Sequence, residues 1–262
     1  MIYSAGAPQS PDQPSAPPLV GPGARCLSAR EGYALWAASY DADPNPLLAL
    51  EERELEPLLP DTCQKDVIDL GCGTGRWLRE LWLRGARSAW GVDFTPQMLS
   101  RAACDSRLKQ RLVLGDCVSL PLRPRIADLT VCSFTMGHIQ DLTALAREIA
   151  RISRPEAELL ISDLHPDAQT AGWRCTFRYE GKSLEIGGHR HPRARVHEAF
   201  QSAGFALRQS LDAFVGEPER PIFKLGGKSA MFEVATSLPA LAIDHFVFRS
   251  RKNVEPFFAD HA

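Results

Sequence analysis

The segment Asp69-Leu-Gly-Cys-Gly-Thr-Gly75 puts an acid and three glycines between an apolar run, Asp66-Val-Ile-Asp-Leu, and a helix-like segment starting at Arg76. Glycine opens backbone dihedrals closed to other residues and lets the main chain approach a ligand. The helix start that follows leaves N–H groups free for a carboxylate or a phosphate. A dinucleotide fingerprint needs G-x-G-x-x-G, but from Gly71 the third glycine position holds Arg76. The spacing G-x-G-x-G therefore argues against a pyrophosphate site and weakens NAD. Asp93 ends the next apolar run, where an acid can accept bonds from both hydroxyls of a ribose. Asp116 ends a third run, where a carboxylate can accept from the amine of an adenine while the Cys117 N–H donates to a ring nitrogen. Any one of these acids is more simply a helix cap or a turn residue. Three of them at successive strand ends coincide with the place where open α/β sheets bind ligands.

The elements that must position these residues alternate. Asn45 and Pro46 open a helix whose apolar face is Leu47, Leu48, Leu55, Leu58 and Leu59. Strands are predicted at 66–70, 89–93, 112–114, 128–134 and 159–162, with helices from Arg76, from Thr95-Pro96 (Thr95 as cap) and from Asp141 between them. Five alternations predict an α/β fold: a Rossmann-like, mostly parallel sheet with helices on both faces. After Asp163 the pattern changes. Trp173–Tyr179 and Ser183–Ile186, joined at Glu180-Gly181-Lys182, predict a small inserted β-hairpin after strand five, over one end of the sheet. A helix from Pro192 to Ala203 follows, then strands near 205–214 and 241–248. No clear crossover helix precedes the last strand, so it is expected to be an antiparallel edge strand.

Composition bounds the rest. Of 262 residues, 44% are apolar and 24% charged, with a net charge of -2, so nothing global favours nucleic acid. No run approaches the ~20 apolar residues of a membrane span, and the N-terminus lacks the pattern of a secretory signal. Seven cysteines with no C-x-x-C pair imply reduced, mostly buried thiols and a cytoplasmic protein. Residues 1–24 are Pro/Ser-rich and are expected to be a disordered tail. Residues 25–262 are expected to be one domain, with a substrate cover at about 165–191.

The runs Val67-Ile-Asp-Leu-Gly-Cys-Gly-Thr-Gly, Gly91-Val-Asp-Phe-Thr-Pro-Gln-Met-Leu and Leu114-Gly-Asp-Cys resemble the cofactor region of class I S-adenosylmethionine (SAM)-dependent methyltransferases. The likeness is to the bacterial small-molecule branch that includes the ubiquinone- and biotin-pathway enzymes. It continues through Ala127–Ile139 and Ala146–Pro155, about half the chain. The resemblance implies that Asp69, Gly71, Gly73 and Gly75 hold the methionine part of SAM. It places Asp93 on the ribose, with Phe94 and Met98 following, Asp116 and Cys117 on the adenine, and Ser133 and Phe134 near the sulfonium. Tyr33 and Tyr40 would close over the cofactor from the N-terminal helix. The chain departs from the family at Arg154-Pro-Glu-Ala-Glu, where a glycine-rich turn is usual.

Transfer from a sulfonium mainly needs alignment, and a base only if the nucleophile must lose a proton. His138, His165 and His189 are the candidate bases. Trp36, Trp173, Phe177 and His191 are candidate contacts to the acceptor. Each of these residues also has an ordinary structural explanation. A metal at Asp163, His165, His189 and His191 lacks ligand spacing, so none is expected. An Asn/Asp-Pro-Pro-aromatic motif and a Pro-Cys nucleophile are absent, which argues against nucleic-acid amine or cytosine-carbon methylation. The expected reaction is methylation of an O, N, C or S atom of a small molecule, yielding S-adenosylhomocysteine, by a monomer or homodimer. The alternatives are a methyltransferase of RNA or protein, a non-catalytic SAM-binding subunit and a nucleotide-dependent oxidoreductase.

Overall fold

The computed structural model describes residues 25–249; the tail expected at 1–24 lies outside them. The chain opens with strand β1 (Arg25–Leu27), α1 (Ala29–Trp36) and α2 (Pro46–Leu55). Ser28 and Glu31 form a reciprocal capping box on α1, and Asn45 caps α2 by accepting from the Leu47 N–H. The alternating region follows as β2 (Asp66–Leu70), α3 (Arg76–Leu83), β3 (Ser88–Asp93), α4 (Pro96–Ala102), β4 (Leu112–Leu114), β5 (Ala127–Ser133), α5 (Leu142–Ile152) and β6 (Ser153–Leu164). The remainder is α6 (Pro166–Thr170), β7 (Cys175–Tyr179), β8 (Lys182–Ile186), α7 (Arg193–Ser202), β9 (Phe205–Ala213), α8 (Arg220–Leu225), α9 (Phe232–Ala235) and β10 (Leu241–Phe248). Thr95 occupies the N-cap position of α4, but its side chain makes no capping bond.

Seven strands form one sheet in the order β4-β3-β2-β5-β6-β10-β9. The pairs from β4 to β6 are parallel, and β10 runs antiparallel to both β6 and β9. The last strand is therefore antiparallel, as expected, but it is not the edge. β9 is the edge. The burial patterns explain this: β10 is covered on both faces along most of its length, whereas β9 leaves Arg208, Gln209 and Ser210 exposed.

Helices cover both faces. Alternate residues of β2 enter different cores: Val67 joins Leu50, Leu78 and Leu81, while Ile68 joins Leu145, Ile149 and Phe200. Where the family's glycine turn is missing, Glu156 takes a positive φ of 65° and the β5–β6 register slips between Ala127 and Leu129. Of the seven cysteines, all unpaired, only Cys72, Cys117 and Cys132 are buried; Cys26, Cys63 and Cys104 are exposed, so the expectation of mostly buried thiols does not hold.

The hairpin forms at its expected place, with Glu180 and Gly181 both at positive φ in its two-residue turn. It does not stand alone. β1 adds to β8 in parallel, making a separate three-stranded sheet. Helix α1 packs on it: Trp36 stacks on Phe177 with ring centres 5.1 Å apart, and Gly32 lies against Ile186. The cover over the main sheet is thus built from two distant chain segments.

Candidate active site

The carboxyl ends of β2 to β5 and the cover enclose a cavity of about 340 Å³, a size typical of small-molecule sites. Gly71, Gly73 and Gly75 all take positive φ. A Cβ on Gly73 would meet nothing within 4 Å, so this residue faces open space in the cavity. Gly75 does not line the cavity; a Cβ there would lie 2.6 Å from Leu108 Cδ1, so it serves the packing of α3. Asp69, at the end of β2, is buried, and its Oδ2 accepts from the Leu78 N–H at 2.9 Å.

Asp93 is also buried and lines the cavity. Its Oδ2 accepts from the Gly73 N–H at 2.9 Å and its Oδ1 from the Thr95 N–H at 2.7 Å. One carboxylate thereby ties the glycine loop to the start of α4. Burial raises its pKa and these N–H groups oppose the rise. Phe94 and Met98 line the wall beside it. Asp116 accepts from the Val118 N–H at 3.0 Å, and Cys117 follows with its thiol pushed by burial up to about 12. Burial raises the Cys72 thiol as well. Neither is a nucleophile near neutral pH. Ser133 and Phe134 form the wall at the end of β5.

His138 sits in a 3₁₀ turn, Met136–His138, and lines the cavity. Its Nε2 lies 2.9 Å from the Tyr33 hydroxyl, and its Nδ1 lies 3.3 Å from the Gly187 carbonyl. The carbonyl can only accept, so Nδ1 donates to it, and a neutral ring then accepts the Tyr33 proton at Nε2. Burial lowers the His138 pKa, and nearby Asp163 works against that. Tyr33 and Tyr40 line the cavity from the cover, and burial raises both phenols.

The other expected residues lie elsewhere. His165 caps α6, accepting at Nδ1 from the Asp167 N–H at 3.1 Å, and does not reach the cavity. His189 and His191 line a smaller cleft with Asp163, Arg193 and Asp244. Trp36 and Phe177 are buried against each other within the cover, because hairpin alternation turns Phe177 toward α1. Trp173 is buried in the core shared with Leu78 and Leu241. Among the described residues no group of three or more His, Cys, Asp or Glu side chains is placed to hold a metal. No helix among them is long and apolar enough to cross a membrane.

Sequence reasoning missed Glu51 and Arg76. Glu51 is wholly buried, on a helix face shared with Leu48 and Leu55. An acid within an apolar stripe was the available signal. Arg76 lines the cavity, as does Thr74, whose hydroxyl donates to Asp41 at 2.6 Å.

Residues 68–161 match the family model of a methyltransferase domain. The fold superposes on a SAM-dependent methyltransferase from Mesorhizobium loti with a TM-score of 0.62 and 19% identity, covering 78% of this chain and 100% of that one. Residues 68–161 thus match a methyltransferase domain, and the fold is that of SAM-dependent methyltransferases. The chain is 28% identical over 218 residues to an uncharacterized methyltransferase of Emericella nidulans, covering 68% of this chain and 75% of that protein. It is 31% identical over 141 residues to a malonyl-[acyl-carrier protein] O-methyltransferase of Hahella chejuensis, covering 51% of this chain and 48% of the relative. The chain thus spans about half the length of that relative. The cavity fits the family's cofactor: a loop glycine with open space at its Cβ position, and acids at the ends of β2 and β3 and after β4.

Proposed function

We propose that this protein transfers a methyl group from SAM to a small-molecule acceptor whose nucleophilic atom carries a proton, an O–H foremost. The observation that carries the reading is His138, a ring with an accepting Nε2 on the wall of the cofactor cavity. O-methyltransferases among the relatives support it. Bound SAM supplies an already activated methyl group. The chain's part is to hold the cofactor, exclude water and take the acceptor's proton. Asp69 and the glycine loop would hold the amino-acid end, Asp93 the ribose, and Asp116 with the Cys117 N–H the adenine. Tyr33 and Tyr40 would close the site, and His138 Nε2, with the acceptor's O–H taking the place of the Tyr33 hydroxyl, would receive the proton as the acceptor oxygen attacks.

The first test is calorimetric titration of SAM into the wild type and Asp93→Ala. The substitution should weaken binding at least about tenfold, ~1.4 kcal/mol. Unchanged affinity would remove Asp93 from the ribose site. Transfer from labelled SAM to a panel of hydroxyl, carboxyl and amine acceptors then reads the nucleophile; methylation confined to amines or to macromolecules would overturn the O–H assignment.

Asp69 yields a pH-dependent prediction. Burial lifts its carboxyl from 3.8 to about 7. The folded protein therefore binds more protons than the unfolded chain between these values, and stability present below the lower one is lost as pH rises through the upper. Without ligand, this group should lower the melting temperature from about pH 4 to 7. An ammonium at the methionine end would favour the ionised carboxylate. The stabilisation conferred by S-adenosylhomocysteine should therefore grow with pH across that window. A ligand-induced melting shift that stays flat there would mean that Asp69 does not face the ammonium.

A further inference from the structure

Helix α2 sends the Glu51 carboxylate, fully buried, to the ends of three core elements. Its Oε1 accepts from Ser133 Oγ at 2.6 Å and from Ser162 Oγ. Its Oε2 accepts from Trp77 Nε1 at 3.2 Å and pairs with Arg76 Nη2. All four partners are donors, the complement a carboxylate needs. Three of them, Arg76, Trp77 and Ser133, line the cavity.

Arg76 uses only Nη2 in these bonds, toward Glu51 and, at 3.4 Å, Ser133 Oγ. Among the described residues, Nε and Nη1 have no acceptor, and the side chain is 29% exposed. The other charged side chains on the wall are Asp69, Asp93, Asp116 and Asp141, so Arg76 is the only Lys or Arg there among the described residues. SAM carries a sulfonium, an ammonium and one carboxylate. The wall's acids suit the cationic groups and the ribose, and its single guanidinium suits the carboxylate.

We propose that Arg76 binds the α-carboxylate of the cofactor and that Glu51 is the positioning residue that aims it. This rests on SAM being the cofactor. A long, partly exposed arginine loses rotamer freedom when it grips a ligand. Glu51 fixes one end of the fork beforehand, leaving the other N–H groups toward the cavity. Because Glu51 belongs to α2, docking of the N-terminal segment completes the carboxylate site. The second latch, Asp41 on Thr74, lies on the same segment.

The test uses two ligands on the full chain. S-adenosylhomocysteine keeps the amino-acid end, whereas 5′-methylthioadenosine keeps the adenosine and the thioether but lacks that end. Arg76→Gln and Glu51→Gln should each weaken S-adenosylhomocysteine roughly tenfold or more, with 5′-methylthioadenosine held within about twofold, so that the preference for the longer ligand collapses. Glu51→Asp should recover part of it. Equal weakening of both ligands would mean that Glu51 and Arg76 only support the fold, and no weakening of either would remove them from the site; both results overturn the proposal. Arg76 is partly exposed and its substitution is the less disruptive, so it carries the test if Glu51→Gln unfolds. A wild type that binds neither ligand would instead overturn the SAM assignment itself.

Discussion

Replacing His138 with alanine should lower kcat roughly 10²- to 10⁴-fold, the usual worth of a placed general base, while S-adenosylhomocysteine still binds. The histidine is held from two sides of the cover, by the Tyr33 hydroxyl at Nε2 and the Gly187 carbonyl at Nδ1. The charged and titratable groups around it are Asp163 at the end of β6, Tyr33 on α1, His189 after β8 and, farther off, Asp93. Burial dominates and lowers its pKa from 6.5, with Asp163 opposing. The neutral, proton-accepting form therefore persists at pH 7 and is lost only as pH falls below the ordinary imidazole range. The acid limb of the kcat profile should lie below pH 6.5 and vanish in the alanine variant. Tyr33→Phe should keep that limb, because it removes a partner of the ring but not the ring itself. A kcat for His138→Ala within about threefold of wild type would mean that alignment alone drives transfer.

The second large effect is structural. Gly71→Ala should abolish measurable SAM binding and lower the melting temperature by roughly 5–15 °C, the equivalent of about 2–4 kcal/mol in a chain of this size. Gly71 sits at a φ of 66°, and a Cβ there would fall 1.9 Å from Thr135 Oγ1. Thr135 cannot easily yield, since that hydroxyl donates to the Leu70 and Ser133 carbonyls. Nor can the loop, since the Gly71 N–H is bonded to the Val92 carbonyl at 2.8 Å. Gly73→Ala, at similar φ but with nothing near its Cβ position, is the control. It should bear only the ~1–2 kcal/mol of the left-handed backbone. Equal melting temperatures for the two variants would show that the Thr135 contact is unimportant.

Much of the site was legible because its signals are local. A strand end, a glycine turn and a helix start lie within one short segment, and Asp93 and Asp116 repeat the strand-end placement. Cover residues were less legible. Phe177 was expected at the acceptor, but hairpin alternation gives only two sides, and which one meets α1 depends on β1 pairing with β8 across more than half the chain. His165 follows β6 directly, nearer to its strand than His138 is to β5, yet it turns away to cap α6. Position after a strand does not specify the direction of a side chain.

The sequence by itself determined the alternating sheet, the glycine loop, the acids at the strand ends and the hairpin, because each follows from period, turn chemistry or spacing within a few residues. Only the tertiary structure decided that β10 lies inside the sheet, that two distant segments form one cover, that His138 rather than His165 or His189 faces the cavity, and that Glu51 grips Arg76. These depend on contacts between residues far apart in the chain. Such contacts form when buried polar groups must find partners and apolar faces must be covered, and those demands are met by whichever elements the fold brings together.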